Sequence, residues 1–546
     1  MPPSANGETA AGARPPSTGG SSWAPLHLRV FRTLWLAQFV SNIGGWMQTV
    51  GAQWLITQQS GSAALVALVQ TAASLPVLLL GIPAGALADI VDRRKLLIFA
   101  QIVMFTAAGL LATLTALGSI DSYGVLALTF VLGCGTAMMT PAWQAIQPEL
   151  VPRDQIPSAA TLSGVNMNLA RAVGPALGGL LIALAGTATV FAVNAASFLV
   201  TLTAVAVWHR RTEVSPVGAE RMIPALRAGQ RYVRNAPRIR RVLARTLLFV
   251  PFAAALWALL PVVAEKRLDM GASGYGLLLG AVGVGAVLGA VLLPKVRSHW
   301  SSNMTLAGGG VLFAAVLAAL VVARSPWVVG PVLLFAGIAW VGVLSTLNAQ
   351  MQVTAAGWVR ARALAVYLTV FQGGMAIGAA VWGQLAAGIG LVLAVLLAAA
   401  LLVTCSLVGL LLAVPDTPLD RSPSMHWPAP TMVLDPEAVP SGPVLVTVTY
   451  RVRADRADEF VRAMNVMGRS RLRTGALHWD LYQNGGDSDR YLEVFMVSSW
   501  EEHLRQHGGR LTGHDREAEE HARSFVDPEH PFEVSHYLPA RERGPG

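Results

Sequence analysis

Twelve apolar runs, each about as long as a bilayer is thick, dominate this chain. They fall near 30–56, 62–88, 96–117, 123–148, 158–184, 187–208, 242–264, 272–294, 303–323, 327–350, 361–387 and 389–413. A helix needs about 20 apolar residues to cross the hydrocarbon core. Only helices and closed barrels satisfy their own backbone groups there. The spacing therefore predicts an all-α polytopic membrane protein of about 12 spans, six on each side of a basic stretch at 209–241. Composition agrees, with 53% hydrophobic residues, 13% charged and mean hydropathy +0.52, values outside the range of a soluble globular domain. The first run is too long for a secretory signal and reads as a retained span.

The net charge of +9 raises the question of nucleic acid, and its distribution answers against it. From residue 443 onward 14 basic residues face 17 acidic ones, so the basic excess lies in the membrane part. Alternate loops hold it: Arg93, Arg94 and Lys95; Arg153; Lys295 and Arg297; Arg360 and Arg362; and the arginines of 209–241. The other loops hold only Lys266, Arg267 and Arg324 as bases. Positive loops stay inside, which predicts two cytoplasmic termini and a lipid bilayer as the surrounding partner. The two cysteines, Cys134 and Cys405, lie within apolar runs and form no disulfide framework.

Between the second and third runs stands Gly81-Ile-Pro-Ala-Gly85-Ala-Leu-Ala-Asp89-Ile-Val-Asp92-Arg93-Arg94-Lys95. Gly81 and Gly85 share one helix face and would let another helix come close. Asp89 follows four residues on, at the helix end. An ordinary cytoplasmic turn would satisfy the same pattern. The spacing Gly85, Asp89, Arg93, Arg94 resembles the loop between helices two and three of the major facilitator superfamily, with Ile90 and Asp92 departing from it. The resemblance implies two six-helix bundles and a conformational latch. In that latch Asp89 faces the start of the eleventh span, Arg360-Ala-Arg362, and Arg93 and Arg94 hold the turn through Asp92 or lipid phosphate.

Few polar residues interrupt the spans. They include Asn42, Trp46, Gln48 and Gln53; Gln144 and Gln147; Asn166, Asn168 and Arg171; Asn348, Gln350, Gln352 and Gln372. An intramembrane Arg is a functional candidate by default, against the alternative of snorkelling to the surface. The amides suit interhelical glue. As a set with Trp46, Trp257, Trp340 and Tyr367 they suit a neutral polar cavity for a bulky amphipathic small-molecule substrate.

On the fifth span, Gly174-Pro175-Ala176-Leu177-Gly178-Gly179 predicts a bend and close packing. It resembles the end of a motif in the superfamily's antiporters. The phrases Pro83 to Asp89, Thr140-Pro-Ala-Trp143 to Pro148-Glu-Leu-Val-Pro152, and Asn168 to Gly179 resemble the secretion-effector branch, which includes enterobactin-type siderophore exporters. That resemblance implies a proton-linked exporter of small amphipathic molecules in a bacterial inner membrane, working by alternating access. No Arg lies between Tyr123 and Gln147, where the superfamily often has one tied to proton coupling.

The expected organisation is a disordered 1–24, a bundle over 25–208, a linker at 209–241, a second bundle over 242–414, a Pro-rich linker at 415–442 and a soluble unit over 443–539. The last reads as βαββααβ, a small α+β (ferredoxin-like) sandwich, and resembles the dimeric α+β barrels of the antibiotic-biosynthesis monooxygenase type. Seven of eleven histidines lie there. The spacing of His503 and His507, with His514 nearby, could hold a metal, but a solvated helix surface is the preferred reading. No nucleophile–base constellation stands out, so the expectation is no enzyme, no cofactor and a tail that self-associates. The competing reading makes the chain a membrane-anchored sensor or oxidase acting through that tail.

Overall fold

Capping chemistry sets where the helices begin. Asp92 accepts hydrogen bonds from the N–H groups of Arg94 and Lys95 at 2.8 and 3.3 Å and opens one helix. Asp121 accepts from Gly124 N–H at 2.8 Å and opens the next. Gly61, at φ 58°, closes the first long helix in the left-handed conformation that glycine adopts freely. A computed structural model describes residues 23–208, 222–417, 419–427 and 442–539. The expected tail at 1–24 thus lies almost wholly outside the described residues, as do 209–221 of the central linker and 428–441.

The helical layer comprises α1 (Arg29–Ser60), α2 (Ala63–Ile90), α3 (Arg93–Ala116), α4 (Ser122–Ile146), α5 (Ile156–Ala185) and α6 (Thr187–Val207). After a 14-residue amphipathic helix α7 (Met222–Asn235) come α8 (Pro237–Lys266), α9 (Ala272–His299), α10 (Ser302–Val322), α11 (Pro326–Thr354), α12 (Arg360–Ile389) and α13 (Leu391–Val408). Among the described residues, 11 helices are long and apolar enough to cross a membrane. The twelfth expected span, α1, has 32 residues and ample length but falls short in hydropathy. Its amides explain this: Gln38, Gln48 and Gln53 are buried against protein rather than lipid.

Helices α1–α6 pack mainly on one another, as do α8–α13. Two long helix pairs join the sets, α2 with α12 and α5 with α9. The α2–α12 pair is antiparallel: Leu78 lies against Gly373, Thr71 Oγ1 donates to Ala376 O at 2.9 Å, and Ala67 lies against Gly383. The α5–α9 pair is a backbone contact. A Cβ on Gly179 would stand 2.5 Å from Ala272 O, and one on Gly283 would stand 2.3 Å from Ala172 Cα. The predicted bend in α5 is not marked by any break, and the helix runs on through Pro175. Gly174 and Gly178 instead seat α1, with Cβ positions 2.7 Å from Trp46 Cβ and 3.0 Å from Met47 Cα.

Polar bonds close the ends of α1 and α8 that lie away from the tail. Gln53 Nε2 donates to Trp257 O at 2.9 Å, Tyr275 Oη donates to Gln53 Oε1 at 2.5 Å, and Lys266 Nζ donates to Gly61 O at 2.6 Å.

The tail runs β1 (Val444–Arg451), α14 (Ala457–Thr474), β2 (Ala476–Gln483), β3 (Arg490–Val497), α15 (Trp500–Arg505), α16 (Gly513–Arg523) and β4 (Glu533–Tyr537). Its strands form one antiparallel sheet in the order β2-β3-β1-β4. Burial alternates along β1, so Val444, Val446, Val448 and Tyr450 face a core built with Phe460, Met464 and Phe495. The tail docks on the helical layer through α7. Tyr232 Oη accepts from Ala356 N–H at 3.1 Å in the α11–α12 connection, and Trp358 Nε1 there donates to Arg510 O at 3.1 Å. Arg231 pairs with Glu502 at 3.3 Å and Arg510 donates to the same carboxylate at 2.5 and 3.1 Å.

The two glycine environments on these helices predict opposite outcomes. Gly179→Val drives a side chain into the Ala272 carbonyl and should cost about 1–3 kcal/mol by overpacking. Gly85→Ala meets nothing within 4 Å and should change stability by less than about 0.5 kcal/mol. Melting of both variants in detergent, scored against the wild type, checks the contrast.

Candidate functional site

Arg171 anchors the centre of the molecule. Gly174 draws α5 onto α1, and this puts the Arg171 guanidinium 5.4 Å from the Trp46 ring centroid. Trp46 lies 6.1 Å from Trp257 of α8, Trp257 lies 5.2 Å edge-on to Trp340 of α11, and Trp340 lies 6.1 Å from Phe371 of α12. This aromatic column crosses from one helix set to the other. A guanidinium over an indole face is a favourable cation–π arrangement, worth about 2 kcal/mol when desolvated.

The column carries hydrogen-bond donors without partners among the described residues: Trp257 Nε1, Trp340 Nε1 and Arg171 Nε. Trp257 and Trp340 are only 7% and 4% exposed. A buried donor left unpaired costs about 1–3 kcal/mol, so each of these groups gains by meeting an acceptor atom.

Other expected site residues have structural partners. Asn42 accepts from Gln38 at 2.9 Å and donates to Asn166 Oδ1 at 2.8 Å, while Asn166 donates to Trp35 O at 3.0 Å. Gln48 Oε1 accepts from Asn194 at 3.1 Å. These are the interhelical bonds of α1 with α5 and α6. Asn348 pairs with Gln352 at 2.6 Å, near the tail-side end of α11. Gln144 is exposed and Gln372 half-buried; neither joins the column.

The basic turn is pinned on the tail side. Arg93 Nη1 donates to Glu149 at 2.6 Å and to Ala145 O at 3.2 Å. Arg94 donates to Val205 O and Ala206 O at 3.1 and 2.5 Å. Asp92 caps α3. Among the described residues, the tight approach expected at Gly81 and Gly85 is not seen in this conformation. A Cβ on Gly85 meets nothing within 4 Å, and one on Gly81 meets only Val77 of its own helix, at 3.9 Å. The close contacts of α2 lie earlier, at Ala67, Thr71 and Leu78. The side chain of Asp89 lies outside the described ones. Arg360 is exposed, and the stem of Arg362 lies against Gly229 of α7.

Sequence reading passed over Phe249, Phe313 and Phe371, which extend the aromatic column, and over Tyr275, which holds Gln53. His503 is no solvated surface residue, being 1% exposed. Its Nε2 lies 2.9 Å from His536 Nε2 and 3.3 Å from His507 Nε2, and its Nδ1 lies 3.2 Å from Gln506 Oε1. His514 stands apart, 3.8 Å from Glu517. Among the described residues no group of three His, Cys, Asp or Glu side chains is arranged to hold a metal.

These features define a multi-pass membrane protein with two packed helix sets, of the major facilitator type. The chain belongs to the transmembrane secretion effector family, whose sequence model matches residues 20–544. It is 24% identical over 261 residues to the staphyloferrin A transporter of Staphylococcus aureus, covering 48% of this chain and 66% of that one. It is 30% identical over 151 residues to macrolide efflux protein A of Streptococcus pyogenes, covering 28% and 37%. With the multidrug efflux pump Tap of Mycolicibacterium fortuitum it shares 27% over 246 residues, covering 43% and 59%. The chain thus spans less than two thirds of the length of these relatives, all of which are transporters rather than enzymes. A POT family transporter in complex with 5-aminolevulinic acid superposes with a TM-score of 0.59 at 13% identity, over 70% of this chain and 95% of that one. A bacterial homologue of the lysosomal transporter Spinster, inward-facing and unoccupied, gives 0.56 at 16%, over 72% and 98%.

Burial pushes the His503 imidazole down from 6.5 to about 3, with His507, His536 and Arg471 acting the same way against the hydrogen bond to Gln506. The folded tail therefore holds His503 neutral. Its contribution is fully present above about pH 6.5 and is lost as pH falls toward 3, because the unfolded chain takes up the proton first. Between pH 7 and pH 5 the loss should be about 2 kcal/mol, at about 1.4 kcal/mol per unit. Pulse proteolysis of the full chain in urea, scoring the tail fragment, should show it, and His503→Asn should flatten the dependence.

Proposed function

We propose that this protein is a secondary exporter of small amphipathic molecules that carry hydrogen-bond acceptors, with the Arg171–Trp46–Trp257–Trp340 column as its substrate-facing site. The observation that carries the reading is the set of unpartnered donors on an aromatic column shared by both helix sets. Aromatic faces hold the apolar body of such a molecule, and the indole N–H groups with the guanidinium meet its carbonyl or carboxylate oxygens. The relatives named for a siderophore, macrolides and multiple drugs support export of this class. Proton coupling and a bacterial inner membrane with cytoplasmic termini complete the proposal; the loop charges support the orientation.

Alternating access would rock the two helix sets about the column. The bonds of Gln53 with Trp257 and Tyr275, and of Lys266 with Gly61, close the side away from the tail. On the tail side, the antiparallel register of α2 on α12, continued to the end of α2, brings that end beside the start of α12. That supports the latch of Asp89 with Arg360 or Arg362 and the N-terminal N–H groups of α12. Self-association of the tail is a further part of the proposal, supported by exposed Tyr482, Leu492 and Tyr537 on the strands.

Transport into everted vesicles, driven by an inward-acid gradient and stopped by a protonophore, tests direction and coupling together. The probes are a macrolide and a carboxylate siderophore, and the cells lack their own efflux pumps. Arg171→Leu should insert normally and lose at least about 90% of transport, as removal of a charge-assisted contact of ~1.5–3 kcal/mol implies. Arg171→Lys should retain part of it. Full transport by the leucine variant would remove Arg171 from the site. Asp89→Asn keeps shape without charge and should reduce transport about tenfold or more, since a few kcal/mol moves a two-state balance that far. Normal transport in that variant would remove the latch.

A further inference from the structure

The tail buries charge where a small domain is expected to bury only apolar groups. Arg471 of α14, Glu493 of β3 and Glu519 of α16 have side chains 4%, 0% and 3% exposed. Arg471 Nε donates to Glu493 Oε1 at 3.0 Å and its Nη1 to Glu519 Oε2 at 3.4 Å. Burial alone would raise the Glu519 carboxyl, but Arg471, His426, Arg523 and Trp427 bring it down to about 2. Desolvating such a group is expensive, and its remaining acceptor capacity has to be met.

That capacity is met from outside the sheet. Residues 419–427 run as a strap along 511–514. Ser424 N–H donates to Leu511 O at 2.9 Å, Gly513 N–H to Ser422 O at 3.0 Å, and His514 N–H to Asp420 O at 3.0 Å. The strap then delivers Trp427. Its Nε1 donates to Glu519 Oε2 at 2.7 Å, its ring lies 4.3 Å from the Arg471 guanidinium, and its centroid lies 4.7 Å from His507, edge to face. His426 completes the cover, 3.2 Å from the same carboxylate oxygen.

One indole is thus held by a carboxylate at its N–H, a guanidinium on its face and an imidazole at its edge. All three lie on other segments, and the strap holding the indole is irregular chain. This is how proteins recognise a planar aromatic ligand. We propose that the pocket formed by Glu519, Arg471 and His507 binds a planar aromatic molecule bearing an N–H donor, and that Trp427 fills it in its place. The near end of the same chain is fastened to the helical layer: Asp416 accepts from Ser302 N–H at 3.2 Å and Thr417 O accepts from Arg238 at 2.8 Å. A ligand that displaces Trp427 removes one fastening of a connection whose near end sits on α8 and α10. The binding claim stands whether or not the chain is an exporter.

The test uses the full chain in nanodiscs with 5-fluoroindole as probe, followed by fluorine NMR. Trp427→Gly should create saturable one-to-one binding at least tenfold tighter than in the wild type, where Trp427 competes. Adding Glu519→Gln should weaken that binding at least threefold. Trp427→Phe, which keeps a ring and loses the N–H, should fall between wild type and the glycine variant. Equal, non-saturable partitioning in the wild type and Trp427→Gly, with hydrogen-exchange protection of β1 and β3 unchanged, would overturn the proposal. If Trp427→Gly loses that protection, Trp427→Phe decides. Binding by the phenylalanine variant no tighter than by the wild type would then overturn it.

Discussion

Backbone contact between Gly179 and Gly276 is the constraint on which the helical layer depends. In lipid no hydrophobic force draws two helices together, because acyl chains are as apolar as leucine. Association then rests on close van der Waals fit and on polar bonds across helices. With a Gly179 Cβ position 2.9 Å from Gly276 Cα, α5 and α9 meet main chain to main chain. That contact fixes the height of α5. The adjoining face of α5 turns Gly174 and Gly178 onto α1, and α1 brings Trp46 under Arg171. Four residues without side chains therefore decide where one guanidinium and one indole sit.

The amides and the indoles of the layer divide the polar work. Asn42, Asn166, Asn194 and the Oε1 of Gln48 satisfy one another within α1, α5 and α6, so they stiffen one helix set. Trp257, Trp340 and Arg171 keep donors in reserve at the seam between sets. The division fits the alternating access proposed above, which needs stiff halves and a seam free to change partners. Under that proposal internal bonds survive the motion, and those at the seam exchange partners.

The helices were legible because lipid imposes one length and one composition on every span. The helix that failed the hydropathy criterion, α1, is the polar one at the centre, and its amides could be read from sequence as a set. Their pairing could not. Asn42 and Asn166 are 124 residues apart, and which amide is glue depends on which helix arrives opposite. The glycine run of α5 was visible, but its partner Gly276 sits in a glycine-rich helix with no distinguishing neighbour. In the tail, strand alternation made the element order readable. Arg471 remained hidden: on α14 it lies among Arg469 and Arg473, and a row of arginines reads as a wet surface. Only the fold shows that one of the three turns inward onto two carboxylates.

The tail and the layer meet at α7 and at the connection into α12. Tyr232 and Trp358 are packed edge to face at 5.6 Å, one on the helix before α8 and the other on the connection into α12. Arg510 lies 4.7 Å over Trp358 and binds Glu502, which also takes Arg231. Glu502 is therefore shared between an arginine of the tail and one of the layer. An arginine–carboxylate network buried at a hinge adds specificity of position more than stability, since desolvation offsets most of its Coulombic gain. It is also stiff in direction: bidentate geometry tolerates little rotation. Any motion that separates the start of α12 from α7 must either carry the tail with it or break this network. The network thus ties the tail both to α7 and to the connection into α12.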